Sequence, residues 1–517
     1  MLSPLATLLV SLLQPAGDGW EHVYSVLLWR YASGTAAVTL MTLAWAALLG
    51  VVPAWLVAAF EFPGRRALAW LLASPLAVPS YIAAIAWAGL LDFTGPVQTL
   101  IRSALGDEAA LMVPDVMTVY GVSFVLGSVL YPYVYVTTRA ALLHQSSTLI
   151  EAARCLGAGP VATFVRVVLP SLRPAIVGGL ALVLMETIND YGAVHYYGVD
   201  TFTTGIFRVW LGLGDVASAV RLAAVLLAVT ALALGAEHWA RGGRRYDEGG
   251  MVRPLARWHL SGVRAVGATL LCTGPVVAGL AVPLAMLGWW SWQVRADIDL
   301  AAFGLLSLRS GALAALAAGL VVGLSLLVAY ARRVVPALTP LTGLTGTGYA
   351  VPGAVIALGV FAASALVDDG AHLLGWVPAR ELFLQGTLTA LVWAYVVRFL
   401  AVGLQPIEAG FVRQGPSVDH AARMLGAGPL RTLTTVHVPL LRGALAGAAT
   451  LAFVDMLKEL PLTLILRPFD FDTLATHTYN LASEEMVPAS APGAMLLVAF
   501  GLLAVAIAQR GLLREGA

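Results

Sequence analysis

Charge is scarce in this sequence. Of 517 residues, 11% are charged and 59% are hydrophobic, whereas an ordinary soluble domain is about a quarter charged. That deficit excludes a soluble globular enzyme, a disordered chain and a nucleic-acid binder. It leaves a helical membrane protein. Lysine is scarcer still: among 30 basic residues only Lys458 is a lysine. A phosphate-binding loop needs a Lys followed by Ser or Thr after a glycine-rich turn. Lys458 is instead followed by Glu459, inside the apolar run Leu451 to Leu466, so the chain has no ATPase of that kind. Two cysteines, Cys155 and Cys272, make no disulfide framework or thiolate metal site. The nine histidines show no HExxH or paired spacing, and His195, His437 and His477 read as structural. With no nucleophile–base arrangement either, no catalytic site is expected. A net charge of +1 leaves no basic arm for nucleic acid.

What the sequence has is apolar runs of spanning length, at roughly 33–60, 67–91, 116–138, 170–192, 216–238, 266–290, 307–330, 338–365, 384–404, 440–466 and 491–509. A shorter run, Met1 to Leu13, comes first. It lacks a basic n-region and a small-residue cleavage site, so it reads as a short or truncated first helix rather than a signal peptide. The longest polar stretch, Trp239 to Arg264, holds Arg241, Arg244, Arg245, Arg253, Arg257 and Arg264. Positive loops stay inside, which places this stretch in the cytoplasm. Counting outward from it puts Arg65, Arg66, Arg332, Arg333, Arg510 and Arg514 on the same side. The acidic loops with Asp107, Glu108, Asp297, Asp299, Asp368, Asp369, Asp470, Asp472, Glu484 and Glu485 fall opposite. That alternation favours twelve spans over eleven, with both termini cytoplasmic.

The chain also repeats itself. Glu151–Gly178 and His420–Gly447, offset by 269, match at fifteen of 28 positions without a gap. Upstream, Ala77-Val78-Pro79-Ser80 echoes Ala350-Val351-Pro352-Gly353. The expected organisation is a first half at 1–238, an Arg-rich linker at 239–264 and a second half at 265–517, with six spans in each half. Both copies of the repeated loop lie on the cytoplasmic side, so the repeat is parallel. Each copy opens on a short helix-prone run, continues through Gly-Ala-Gly-Pro into an amphipathic stretch, and meets Pro170 or Pro439 at the next span. A short helix bounded in this way suits docking into a partner's groove, or is a plain interfacial helix.

Glu151, Ala152, Ala153, Gly157, Leu169 and Pro170 resemble the EAA loop of binding-protein-dependent ABC importer permeases. Ala421, Ala422, Gly426 and Pro439 repeat the pattern, but His420 stands where the family has Glu, with Asp419 one place earlier. The resemblance implies an all-α polytopic fold of the type I ABC importer class. It makes 151–170 and 420–439 coupling loops for two ATP-binding-cassette subunits, which bind the ATP and Mg; this chain binds no cofactor. It also implies an external substrate-binding protein and a place in the bacterial inner membrane, surrounded by lipid. More narrowly, Glu186-Thr-Ile-Asn-Asp-Tyr-Gly, Asp200-Thr-Phe-Thr-Thr-Gly-Ile-Phe-Arg, Asp455-Met-Leu-Lys-Glu-Leu-Pro and Arg467-Pro-Phe-Asp-Phe-Asp-Thr-Leu resemble the fused permeases of ferric-iron uptake systems. Relatives for thiamine, polyamines, sulfate or phosphonates share that fold.

Glu186 and Asp190 match Asp455 and Glu459 at the same offset of 269. A spacing of four puts each pair on one helix face. Sixteen residues beyond Pro170 or Pro439 is ~24 Å along a helix, toward the outer side of the membrane. Two readings stand. Either Lys458 neutralises Asp455 or Glu459 while Glu186 caps a helix or pairs across the interface, or the carboxylates line a cation's route. Fe³⁺ prefers hard oxygen donors, which makes Glu186 and Asp455 candidates for transient contact. Tyr191, Tyr196, Tyr197 and Tyr479 are near in sequence. A rival of another class is an ion-coupled secondary transporter that uses Glu186, Asp190, Asp455 and Glu459 as its relay.

Overall fold

The computed structural model describes the chain except for residues 1, 14, 16, 18, 111, 145–150, 152, 154, 242–256, 339–347, 377, 379–380 and 516–517. Ala152 of the first repeated loop, the greater part of the Arg-rich stretch and residues 343–347 of the glycine-rich stretch Gly343–Gly348 therefore lie outside the described residues.

Among the described residues, eight helices are long and apolar enough to cross a membrane unaided. They are Trp20–Ala59, Val119–Leu143, Val216–Glu237, Gly262–Gln293, Leu300–Val334, Gly353–Leu373, Leu388–Gln414 and Val487–Ile507. Three bent helix pairs bring the number to eleven if each is counted as one span: Arg65–Ala77 with Ser80–Leu105 at 97°, Val161–Ser171 with Arg173–Asn189 at 70°, and Pro429–Leu440 with Arg442–Leu457 at 77°. With the short helix Leu2–Ser11, the set accords with about twelve membrane helices. The bends follow from proline. Pro79 precedes the helix that starts at Ser80, and Pro170 and Pro439 sit in the turns just before the other two breaks. Proline removes a helical hydrogen bond and restrains the residue before it.

These breaks correct two expectations. The bend at Leu172 means that the rise toward Glu186 begins at Arg173 rather than Pro170, so ~24 Å overstates it. The acidic pairs are also not i, i+4 neighbours on one helix. The helix Arg173–Asn189 ends before Asp190, which is extended at φ −64°, ψ 131°. The helix Arg442–Leu457 ends before Lys458, and the next begins at Pro461.

Small residues set the helix contacts, as expected where lipid offers no hydrophobic contrast. A Cβ on Gly50 would lie 2.8 Å from Val134 Cβ, and one on Gly127 would lie 2.4 Å from Trp45 Cβ. The two repeats are interlocked. Leu2–Ser11 lies against Gly353–Leu373, where a Cβ on Gly359 would meet the Pro4 carbonyl at 2.5 Å. The helix Val487–Glu515 packs on the turn Ser74–Ala77, with Gly501 against the Ala77 carbonyl. Between Val276 and Val282 the chain crosses to the first repeat, and Trp87 donates to the Ala278 carbonyl at 3.0 Å.

Strand structure among the described residues is one short parallel pair, Phe60–Glu61 with Trp258–His259. Trp258 stacks on Phe60 and meets Trp55 edge-on, and Trp55 also contacts Phe164 beside the first repeated loop. Trp258 and His259 are thereby held to the first repeat.

A Cβ on Gly501 would lie 2.4 Å from backbone, whereas Gly267 has open space around its Cβ position. Gly501→Leu is expected to cost about 2 kcal/mol or more through overpacking, and Gly267→Leu little. Thermal unfolding of the detergent-solubilised protein checks this; equal midpoints would refute the packing described.

Candidate functional site

A cavity of about 110 Å³ lies where the broken helices of the two repeats meet. Glu186, Asp190, Asp455, Lys458 and Glu459 all line it, together with Asn189, Arg398, Tyr133 and Tyr349. The five pathway residues expected from sequence thus converge on one space.

Their partners differ. Asp190 accepts hydrogen bonds from the Ala193 and Val194 amides at 3.0 and 3.2 Å and from the Ser80 hydroxyl. It caps the short helix Gly192–Tyr196. Glu459 does the same 269 residues later. Its Oε1 accepts the Leu462 amide at 3.1 Å, capping Pro461–Leu466, while Oε2 lies 3.4 Å from Arg398 Nε. Both members of that ion pair are buried, at 5% and 7% side-chain exposure. Asp455 pairs with Lys458 at 2.9 Å. Glu186 accepts from the Tyr349 hydroxyl at 2.6 Å. Asn189, which matches Lys458 in the repeat, accepts from the Gly353 amide at 2.6 Å and from Arg398 at 3.2 Å. A Cβ on Gly353 would meet Arg398 Nη1 at 2.6 Å, so a larger residue here would displace the guanidinium; the first copy of the motif has Ser80 at this place.

Sequence reasoning missed Arg398, Tyr133 and Tyr349. Arg398 had a legible signal, a lone charge inside the apolar run 384–404. The tyrosines gave none. Of those named from sequence, Tyr191 lines the cavity, but Tyr197 donates to the Ala84 carbonyl at 3.3 Å. Tyr196 lines a second, larger recess of about 1000 Å³, with Asp92, Asp115, Glu485 and His195. Between the two spaces stands an aromatic partition. Tyr191 stacks on Phe207 and His195 with ring centroids 3.7 and 4.9 Å away. His195 Nδ1 bonds the Tyr479 hydroxyl at 2.7 Å, and Tyr81 meets Tyr479 edge-on.

The repeated loops lie elsewhere, at the surface. Glu151 and His420 are exposed, Ala153 and Ala422 are buried against the body, and Ala421 is exposed. Leu156, Met424 and Leu425 are almost fully exposed. Gly157 and Gly426 have φ of 81° and 76°, a left-handed conformation that disfavours a side chain. Asp419 does not stand in for the missing surface glutamate. It points inward, accepting from Arg333 Nε at 2.7 Å and bonding His437 Nε2 at 2.9 Å. His437 is fully buried and also bonds Gln414 at 2.8 Å. Burial opposes ionisation of Asp419, but the hydrogen bonds from Arg333 and His437 hold its carboxyl below the usual range. The first copy has Val168 in place of His437.

Residues 46–239 match the family described as binding-protein-dependent transport system inner membrane component. A probable sulfate transport system permease protein of Nephroselmis olivacea is 33% identical over 202 residues, covering 37% of this chain and 69% of that protein. The chain belongs to this family. Over a longer reach, the permease is 26% identical across 477 residues to an Fe(3+)-transport system permease protein of Haemophilus influenzae, covering 89% of this chain and 86% of that one. A sulfate transport system permease protein of Escherichia coli is 28% identical over 246 residues, covering 45% and 84%. A bacterial alginate ABC transporter solved in complex with a pentasaccharide-bound periplasmic protein aligns with a TM-score of 0.39 and 18% identity, covering 46% of this chain and 86% of that one.

Removing one partner of a buried ion pair strands the other charge, at a cost of roughly 3–5 kcal/mol. Arg398→Leu is therefore expected to destabilise the permease more than Arg398→Leu combined with Glu459→Leu. Thermal unfolding of both variants tests this; a double variant as unstable as the single one would refute the pairing.

Proposed function

We propose that this permease carries ferric iron, delivered by a substrate-binding protein, across the bacterial inner membrane. The observation that carries the reading is the cavity. Four carboxylates against two bases leave it formally negative, and tyrosine hydroxyls add the hard oxygen donors that Fe³⁺ prefers. Glu186 and Asp455 are the carboxylates offered to the cargo, because Asp190 and Glu459 are engaged as helix caps. The likeness to an Fe(3+)-transport permease along most of the chain supports the same reading.

In this reading two halves, 1–238 and 265–517, are joined by the linker 239–264, and both termini lie in the cytoplasm. Two ATP-binding-cassette subunits hold the ATP and Mg. They grip Glu151, Ala152, Ala153 and Gly157 on one side and His420, Ala421, Ala422 and Gly426 on the other, supported by the exposed apolar Leu156, Met424 and Leu425. The binding protein docks on the opposite face. Closure of the ATPase pair would swing the halves and open the cavity to alternate sides. His420 replaces a carboxylate at one contact, so the two couplings are chemically unequal.

A second reading, sulfate transport, draws on the sulfate permeases among the relatives and on Arg398 and Lys458 in the cavity wall. Among the described lining residues both bases are paired with carboxylates, Arg398 with Glu459 and Lys458 with Asp455, and the carboxylates outnumber them four to two, which disfavours an oxyanion. Uptake by proteoliposomes that hold the permease, its ATPase and the genetically neighbouring binding protein separates the readings. Accumulation of labelled iron is expected, and accumulation of sulfate without iron would overturn the proposal.

Both loop glycines have open space around a Cβ but a φ that disfavours one. Gly157→Leu and Gly426→Leu are expected to leave membrane insertion intact and to lower iron-dependent ATP hydrolysis by roughly tenfold or more, the effect of ~1–2 kcal/mol of left-handed strain at the docking loop. Unchanged ATPase co-purification and uptake in both variants would refute the docking.

A further inference from the structure

Two of the four cavity carboxylates are held by neighbours that are themselves cationic or proton-donating and that arise in the cavity wall. Lys458 places its ammonium 2.9 Å from Asp455, and the Tyr349 hydroxyl donates to Glu186 across 2.6 Å. Tyr133 lies beside Tyr349 and within electrostatic reach of Glu186 and Asp455, as Tyr349 itself is of Asp455. Lys458 also interacts with Glu186. Glu186, Tyr133, Tyr349, Asp455 and Lys458 are all only partly buried. Tyr81 also lines the cavity, and its buried hydroxyl has no hydrogen-bond partner among the described residues.

We propose that Glu186 and Tyr349, with Tyr133 beside them, form a two-oxygen seat for a hard trivalent cation, and that Lys458 is a tethered cation that keeps Asp455 occupied until cargo displaces it. Two oxygens 2.6 Å apart are close enough to bind one ion together. The proton that now bridges them leaves to water as the tyrosine O–H bond breaks; the Tyr349 and Glu186 oxygens each form a bond to the metal, which sheds two of its own oxygen ligands, water or citrate, in exchange. At Asp455 the ammonium moves aside and the carboxylate becomes a further hard donor. Release reverses both exchanges. The ammonium, fixed to the chain, competes for Asp455 at all times, which keeps residence short, as a transport pathway requires. Asn189, the match of Lys458 in the first repeat, has no charge, so the competitor acts on one side only.

This inference rests on the ferric reading and is tested alongside it. The permease–ATPase complex in nanodiscs is given ferric citrate, and the visible phenolate-to-iron charge-transfer absorption is recorded. In parallel, iron uptake is followed in proteoliposomes. The wild type is expected to show the absorption and to transport iron. Tyr349→Phe should lose most of the absorption and at least about tenfold in uptake, the scale of one charge-assisted contact. Lys458→Met should retain more iron after washing while transporting more slowly. Because the lysine variant leaves both tyrosines intact, it keeps the test open if Tyr349→Phe assembles poorly. If the wild type transports iron but Tyr349→Phe and Tyr133→Phe match it in absorption and uptake, or Lys458→Met retains no extra iron, the seat is wrong and the ferric reading stands. If the wild type transports no iron, the ferric reading itself fails.

Discussion

Inside a membrane, a backbone that leaves the helix must find new partners for its amides, because lipid offers none. Beside one cavity this permease leaves the helix after Asn189 and after Leu457, and meets the demand at these two matched breaks in the same way. A carboxylate just past the break folds onto the amides of the next short helix: Asp190 onto Ala193 and Val194, Glu459 onto Leu462. The cavity exists because the helices stop there, and they can stop there because two acids cap the restart. Charge in the centre is therefore a requirement of the backbone before it is a feature of transport.

Of those two acids, Glu459 is offset by a base and, among the described residues, Asp190 is not. Arg398 answers Glu459, and Asn189 with Gly353 fills the space around the guanidinium. Ser80 serves Asp190 in the corresponding place without a base. The second repeat carries both cavity bases and the first carries none, so two similar folds present different fields to whatever passes between them. The same inequality recurs at the surface. The second loop is tied to the body through Asp419, Arg333 and buried His437, where the first repeat has Val168.

The span count and the repeat were legible because both depend on periodic or polar features that survive in one dimension: apolar runs of fixed length, and a loop copied at an offset of 269. Glu186, Asp190, Asp455, Lys458 and Glu459 stood out because charge inside an apolar run is conspicuous, but the sequence left open whether they neutralise one another or line a route, and their meeting in one cavity comes from the fold. The helix breaks were not legible. The runs 170–192 and 440–466 read as continuous spans, and Asp190 gave no sign that its side chain would cap rather than extend the preceding helix. Tyr349 and Tyr133 were invisible because their proximity to Glu186 comes from helices distant in sequence. Of the tyrosines close to Glu186 in sequence, Tyr191 lines the cavity, Tyr196 lines the second recess and Tyr197 bonds the Ala84 carbonyl.

The short parallel strand pair fastens Trp258 and His259 to Phe60 and Glu61 in the first repeat. Two halves carried on one polypeptide meet at a high local concentration and always in a one-to-one ratio. A pairing of two first halves, with no cavity base, or of two second halves, with four, has no opportunity to form. Fusion thus acts as a proofreading step in assembly, and it lets each half keep a charge pattern that would be unworkable if matched with itself.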